Sequence, residues 1–365
     1  MLVNKAYKYR LEPTAEQETT LNKTVGCCRF VYNYFLKLNI DQYAKDKTFV
    51  FNHQMVTMLP LLKKEYPFLS EAFSQSLQTV VRNLSTAFKN FFNKQNAFPT
   101  FKKKGKNDSF TCPQKFRIEE ERNRIFIPKV GEVKYRNSRQ IEGKAKSITI
   151  SKNCGHWYVS VLTEQEIQEQ PKTFLNPVGI DVGLKEFAVL STGQVIPNHR
   201  FYRTLEEKLA KEQRKLSRKE KFSSNWKKQL AKVQKIYSQI ANARKDFLHK
   251  LSTQIVNNHD LIGVEDLCIS GMIKNHRLAK SIADAGWSMF NNFLEYKSIW
   301  KSKTYQKVER FYPSSQLCSE CGSKQIMPLH LRTYVCKDCG TVKDRDFNAS
   351  KNIELRALQL ALGSK

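Results

Sequence analysis

Four cysteines constrain this chain more than any other residues. Cys318 and Cys321 form one C-x-x-C knuckle, Cys336 and Cys339 form a second, and fourteen residues separate them. Each knuckle puts two thiols on one tight turn, and Gly322 or Gly340 lets that turn close. Four sulfur ligands in tetrahedral geometry select Zn²⁺, and a closed set of four cysteines leaves no open position for a substrate. The segment therefore reads as a ribbon around one structural Zn²⁺; the alternative is core thiols that fall in pairs by chance. Cys27, Cys28, Cys112, Cys154 and Cys268 lack ligand spacing and read as packed core thiols in a reducing compartment.

Charge narrows the partners. The 365 residues carry 62 Lys and Arg against 34 Asp and Glu, a net charge of +28 spread along the chain. Such an excess is expected of a polyanion binder, and 14 Tyr with 23 Phe can supply faces for base stacking. The alternative is a basic solubilising surface. No apolar run is long enough to span a bilayer and no signal peptide opens the chain, so we expect a cytoplasmic, nucleoid-associated protein without a membrane partner. The length suits roughly two or three domains.

Periodicity gives the order of elements. Lys5–Leu11 alternates as a strand. Thr14 and Gln17 form a capping box before a helix through Leu21, Val25, Val31 and Phe35. Further helices are expected near residues 51–62 and through Leu77, Val81, Leu84 and Phe88, whose aromatic stripe reads as core. Lys102, Lys103, Lys104 and Lys106 form a basic turn. Short strands fill residues 109–163, and the first strand could join them in a small β-barrel. Residues 163–177 read as a linker.

Residues 178–190 make two strands, the first carrying Asp181, with Gly183 permitting a turn and close approach of a phosphate backbone. Residues 205–258 form a basic helical hairpin. Lys211, Arg214, Lys215 and Arg218 are candidates for phosphate contacts there, against the alternative of a solvated face. Residues 261–267 are a strand ending in Glu265 and Asp266. A helix over 290–300 and a strand over 308–312 lead to the ribbon.

Asp181, Glu265 and Asp346 are then three acids at strand ends and a helix start. A buried acid is costly unless it binds something. Phosphodiester cleavage by two Mg²⁺ ions ~3.5–4 Å apart needs such a set, with Asp181 as the bridging ligand. Spacing leaves open whether the three converge, and an acid opening a helix can also be a simple cap.

Gly179-Ile-Asp-Val-Gly183, Val264-Glu-Asp-Leu267, Tyr312-Pro-Ser-Ser-Gln-Leu-Cys-Ser-Glu-Cys-Gly322 and Asp344-Arg-Asp-Phe-Asn-Ala349 together resemble the TnpB (OrfB) family of insertion sequences. Those are RNA-guided DNA endonucleases related to type V CRISPR effectors. The resemblance covers nearly the whole chain and implies a multidomain α+β fold. A wedge β-barrel would take residues 1–13 and 97–172, with a helical recognition lobe inserted at 14–96. A RuvC-like, RNase H-type domain would take 173–312 and 343–365, interrupted by the zinc ribbon at 313–342. It also implies that Asp181, Glu265 and Asp346 are the catalytic Mg²⁺ ligands, with Asp344 the less favoured third acid. The implied partners are a guide RNA from the element's end and double-stranded target DNA, bound by a monomer. The competing functions are a nuclease-inactive guided repressor and a transposase that joins strands itself.

Overall fold

In the computed structural model, residues 1–168, 174–328 and 330–363 are described, and they divide into two units. The expected linker at 163–177 lies partly outside the described residues.

The unit Leu2–Glu166 begins with β1 (Leu2–Glu12), whose alternation buries Val3, Tyr7, Tyr9 and Leu11. Thr14 and Gln17 cap α1 (Ala15–Asp46) reciprocally: the Gln17 N–H donates to Thr14 Oγ1 at 3.3 Å, and the Thr14 N–H donates to Gln17 Oε1 at 3.1 Å. α2 (Asn52–Glu65) and α3 (Ser74–Phe92) follow, and α3 buries Leu77, Val80, Val81, Leu84 and Phe88. Then come β2 (Ser109–Cys112), β3 (Arg117–Glu119), β4 (Arg124–Ile127), β5 (Gly131–Tyr135), β6 (Lys144–Asn153) and β7 (His156–Glu166). The strands pair antiparallel in the order β2-β6-β7-β1-β5-β4-β3, so the first strand does join the later ones. Where a barrel was expected, the sheet is open: its end strands β2 and β3 do not pair among the described residues. Cys27, Cys28 and Cys112 are core thiols as expected, and burial pushes Cys112 up to about 11. Cys154 is exposed, because it sits at φ 47° in the tight turn between β6 and β7.

The other unit comprises Met1 and Ile167–Lys365. It runs β8 (Pro177–Val182), β9 (Glu186–Leu190), β10 (Val195–Pro197), α4 (Phe201–Ser217), α5 (Ser224–Asn258), β11 (Leu261–Glu265), α6 (Ile269–Met272), α7 (His276–Ala285), α8 (Trp287–Trp300) and β12 (Thr304–Val308). A small ribbon with β13 (Thr333–Val335) and β14 (Val342–Asp344) precedes α9 (Arg345–Ala361). The sheet order is β10-β9-β8-β11-β12; β8, β11 and β12 are parallel, and β9 and β10 are antiparallel. The last sheet strand ends at Val308, where the sequence suggested that it would begin. Tyr305 packs on the core while Phe311 is almost fully exposed, so the apolar letters at 308–312 do not mark the pairing. Cys268 is likewise exposed, in the turn after β11.

Alternation decides which face each strand residue meets. Val178, Ile180, Ile262 and Val264 pack against Leu248, Leu251 and Ile255 of α5 and Phe290 and Leu294 of α8. The opposite face receives α9, through Ile353 and Ala357 against Leu261 and Val308. The base of the α4–α5 hairpin is pinned by Asp284. Its two oxygens accept from the Tyr202 N–H at 3.0 Å each, and Oδ1 accepts from Arg244 Nη2 at 2.7 Å.

Candidate active site and metal centre

Parallel register brings the first two acids together. Gly179 pairs with Gly263 and Ile180 with Val264, so Asp181 and Glu265 end neighbouring strands on the face that α9 covers. The paired glycines let α9 come this close. A Cβ on Gly179 would lie 2.0 Å from Ser350 O and 2.4 Å from Glu354 N, and one on Gly263 would lie 2.6 Å from Ala357 Cβ. Asp346 stands one helical turn before Ser350, at the helix start. Gly183 makes the turn expected of it, whereas the close approach of α9 depends on Gly179. Gly183 has no left-handed φ and simply closes the β8–β9 hairpin through its N–H to Phe187 O.

The electrostatics follow from this crowding. Burial pushes the Asp181 carboxyl well above the usual carboxylate range, and the negative charges of Glu265 and Asp346 push it further, opposed by Arg345. Burial also raises Glu265, opposed by a hydrogen bond that Ser314 Oγ donates to Glu265 Oε1 at 2.7 Å. Asp346 Oδ1 accepts from Arg345 Nε and Nη2 at 3.1 Å, and Oδ2 accepts from Arg332 at 3.5 Å. Asp344 is the helix cap: its Oδ1 accepts from the N–H groups of Asp346 and Phe347 at 2.9 and 3.0 Å. Two carboxylates thus end neighbouring strands on one sheet face and a third stands at the start of the helix over it, with Asp181 raised first by burial and then by the charges of the other two.

Among the described residues, the four ribbon cysteines are the one group of three or more His, Cys, Asp or Glu whose ligand atoms lie within 4.8 Å of one another. The acids stand wider apart, with Asp346 engaged by its two arginines. Sulfur separations of 3.6 Å for Cys318–Cys339 and Cys321–Cys336 approach the ~3.8 Å edge of a tetrahedron of thiolates about 2.3 Å from an ion. Hydrogen bonds from the Thr341 hydroxyl and main chain lower the Cys339 thiol to about 6, favouring the ligating thiolate. The cluster could hold a metal such as zinc.

The ribbon is tied to α9 by two asparagines that the sequence reading passed over. Asn348 Nδ2 donates to Leu317 O at 2.6 Å and its Oδ1 accepts from the Ser319 N–H at 3.0 Å. Asn352 Nδ2 donates to Ser314 O and Leu317 O at 2.8 and 2.7 Å. Ser314 and Asn348 lie within the quoted C-terminal motifs and Asn352 just beyond one, whereas Arg332 lies in the ribbon between them with no sequence signal of its own.

The basic candidates separate into two kinds. Lys211, Arg214 and Arg218 have no ion pair among the described residues, whereas Lys215 Nζ sits 2.7 Å from Glu212. In the other unit, Lys103, Lys104 and Lys106 are exposed, and Lys102 Nζ lies 4.4 Å from the centre of the Tyr32 ring.

Residues 159–276 match a family described as "Probable transposase", residues 287–353 one described as "Cas12f1-like, TNB domain", and residues 1–48 one described as "Helix-turn-helix domain". Residues 1–48 hold one strand and one long helix, so no helix-turn-helix lies within them. The chain is 37% identical to "Putative RNA-guided DNA endonuclease InsQ" of Escherichia coli (strain K12), covering 95% of this chain and 91% of that protein. It is 38% identical to a "Putative RNA-guided DNA endonuclease" of Streptomyces pristinaespiralis, covering 96% and 89%. The fold is shared with the chain in "Cryo-EM structure of the Cas12f1-sgRNA-target DNA complex", with a TM-score of 0.58 at 14% identity over 97% of this chain and 99% of that one.

Proposed function

This chain belongs to the TnpB (OrfB) family of RNA-guided DNA endonucleases, and from that premise we propose that it cuts DNA next to a short flanking motif at a RuvC-like, three-carboxylate site. Guide pairing reads the target, while the protein reads the flanking duplex and the backbone. Asp181, Glu265 and Asp346 would hold two Mg²⁺ ions, which would supply activation of water and stabilisation of the leaving oxygen. Asp181 would be the carboxylate that serves both ions. Ser314 orients Glu265, and Arg345 and Arg332 hold Asp346. The observation that carries this reading is the placement of Asp181 and Glu265 in register on the sheet face beneath the start of α9.

In the same reading the four-cysteine cluster holds one structural Zn²⁺. The seven-stranded sheet is the wedge, with residues 14–96 as a recognition lobe for the flanking duplex and guide scaffold. Residues 173–312 and 343–365 are the nuclease domain around the ribbon at 313–342. Lys102, Lys103, Lys104, Lys106, Lys211, Arg214, Lys215 and Arg218 contact phosphates. The partners are guide RNA and double-stranded target DNA, bound by a monomer in the bacterial cytoplasm at the nucleoid. The names of the close relatives support the guide and the DNA substrate.

The test is to purify the chain with RNA from the element's end and challenge it with a target plasmid and Mg²⁺. Wild type should linearise the plasmid, and Asp181→Ala should bind RNA and target without cutting, because the basic surface remains. Binding without cuts by wild type would favour a repressor, and joined products a transposase. Equal loss of binding in Asp181→Ala would make Asp181 structural.

A further inference from the structure

The tip of the α4–α5 hairpin carries an aromatic pair that the nuclease site does not use. Asp284 pins the hairpin at its base, and the 17 residues of α4 extend about 25 Å from there. At the far end Phe222 has φ 68° and is 74% exposed. A bulky side chain in the left-handed region is uncommon, and glycine or asparagine would be the undemanding choice. Hairpin packing does not account for it, since the hairpin core is Leu209, Val233, Ile236 and Ile240. The Phe222 ring instead stands 5.6 Å from the ring of Trp226, tilted by 53°. Ser223 fixes the turn by accepting the Trp226 N–H on its Oγ at 3.1 Å.

Cations flank this pair along the chain. Residues 218–228 include Arg218, Lys219, Lys221, Lys227 and Lys228 against the single acid Glu220, and none of the five has an ion pair among the described residues. An exposed ring flanked by unneutralised cations matches a nucleic-acid strand, in which a flat base alternates with a phosphate.

We propose that Phe222 and Trp226 form a stacking platform for an unpaired base of a single strand, with the flanking lysines and Arg218 on its phosphates. The ligand class rests on the guided-nuclease reading; the platform itself rests on the geometry of the tip. Stacking accepts any base, so the tip would grip a strand without reading its sequence.

The experiment uses the full chain with its guide RNA and a target whose displaced strand carries 5-iodouracil. Irradiation should attach nucleotide to the peptide containing Phe222 and Trp226. In parallel, Phe222→Ala and Phe222→Gly should weaken binding of the full chain to a labelled oligothymidylate or oligouridylate by about 5- to 100-fold. The salt slope should not change, because no phosphate contact is lost. Phe222→Trp should keep wild-type affinity. Phe222→Gly should melt no lower than wild type, which separates loss of the ring from loss of fold. A loss seen with oligothymidylate assigns the platform to DNA, and one seen with oligouridylate assigns it to RNA. Unchanged affinity for both overturns the proposal, as does a fall in salt slope, or a loss confined to oligothymidylate with cross-linking only at other peptides. Weakened binding to anionic phospholipid vesicles with oligonucleotide binding intact would also overturn it, marking a membrane contact instead. Wild-type plasmid cleavage is read alongside: its absence sinks the nuclease reading and leaves the stacking result standing.

Discussion

Gly179→Ala should disarm the enzyme with one methyl group. The new Cβ would lie 2.0 Å from Ser350 O and 2.4 Å from Glu354 N, both main-chain atoms of α9 that no rotamer change can move aside. The first contact is about 1.4 Å short of the 3.4 Å at which ordinary van der Waals contact begins. Either α9 lifts by about that much or β8 bends. Overpacking of this kind costs about 1–3 kcal/mol of stability. Asp346 is carried on the displaced helix, one turn from the contact, and a misplacement of about 1 Å can cost roughly 100-fold in rate. Guided plasmid cleavage under single-turnover conditions should therefore fall by about two orders of magnitude, while guide RNA still copurifies. Gly263→Ala supplies the control. Its Cβ meets Ala357 Cβ at 2.6 Å, so Gly263→Ala with Ala357→Gly should recover part of the loss, the next contact being Ile353 O at 3.1 Å. Wild-type cleavage by Gly179→Ala would refute the reasoning, because the close approach of α9 would then not position Asp346.

Two further perturbations test other parts of the chain. Cys318→Ser and Cys336→Ser should each lose the metal and unfold the ribbon locally, since metal binding supplies much of such a module's folding energy; elemental analysis should give about one Zn per chain in wild type and far less in the variants. Replacing Lys211, Arg214, Lys215 and Arg218 with Gln should weaken binding for all guides alike and reduce the salt slope by about 0.7–0.9 per lost phosphate contact. Lys215 should contribute least, because Glu212 already neutralises it, and an unchanged slope would mark the hairpin face as merely solvated.

The ribbon was legible because its chemistry is local: spacing in the chain already brings the four sulfurs together. Asp181 and Glu265 were legible as acids ending apolar strands, but their shared face depends on a parallel register between residues 84 positions apart, and neither strand encodes that by itself. Gly183 drew attention through its place in the motif, whereas Gly179 and Gly263 carry the tertiary load, since only the arrival of α9 makes a missing Cβ matter. Asp344 and Asp346 look alike in sequence, and the helix start distinguishes them by making the first a cap. Charge marked the hairpin in the sequence, but where its core stops was not legible: packing ends at Val233 and leaves the Trp226 ring at the tip. For the seven-stranded sheet, alternation gave the strands but not whether the end strands meet, which depends on accumulated twist and register.

The position of α9 in the chain also has a bearing on synthesis. Every strand of the nuclease sheet, through Val308, leaves the ribosome before the helix that covers Leu261 and Val308 and brings Asp346 to the sheet. A chain interrupted before α9 would therefore leave that apolar sheet face bare and would lack Asp346 of the proposed site.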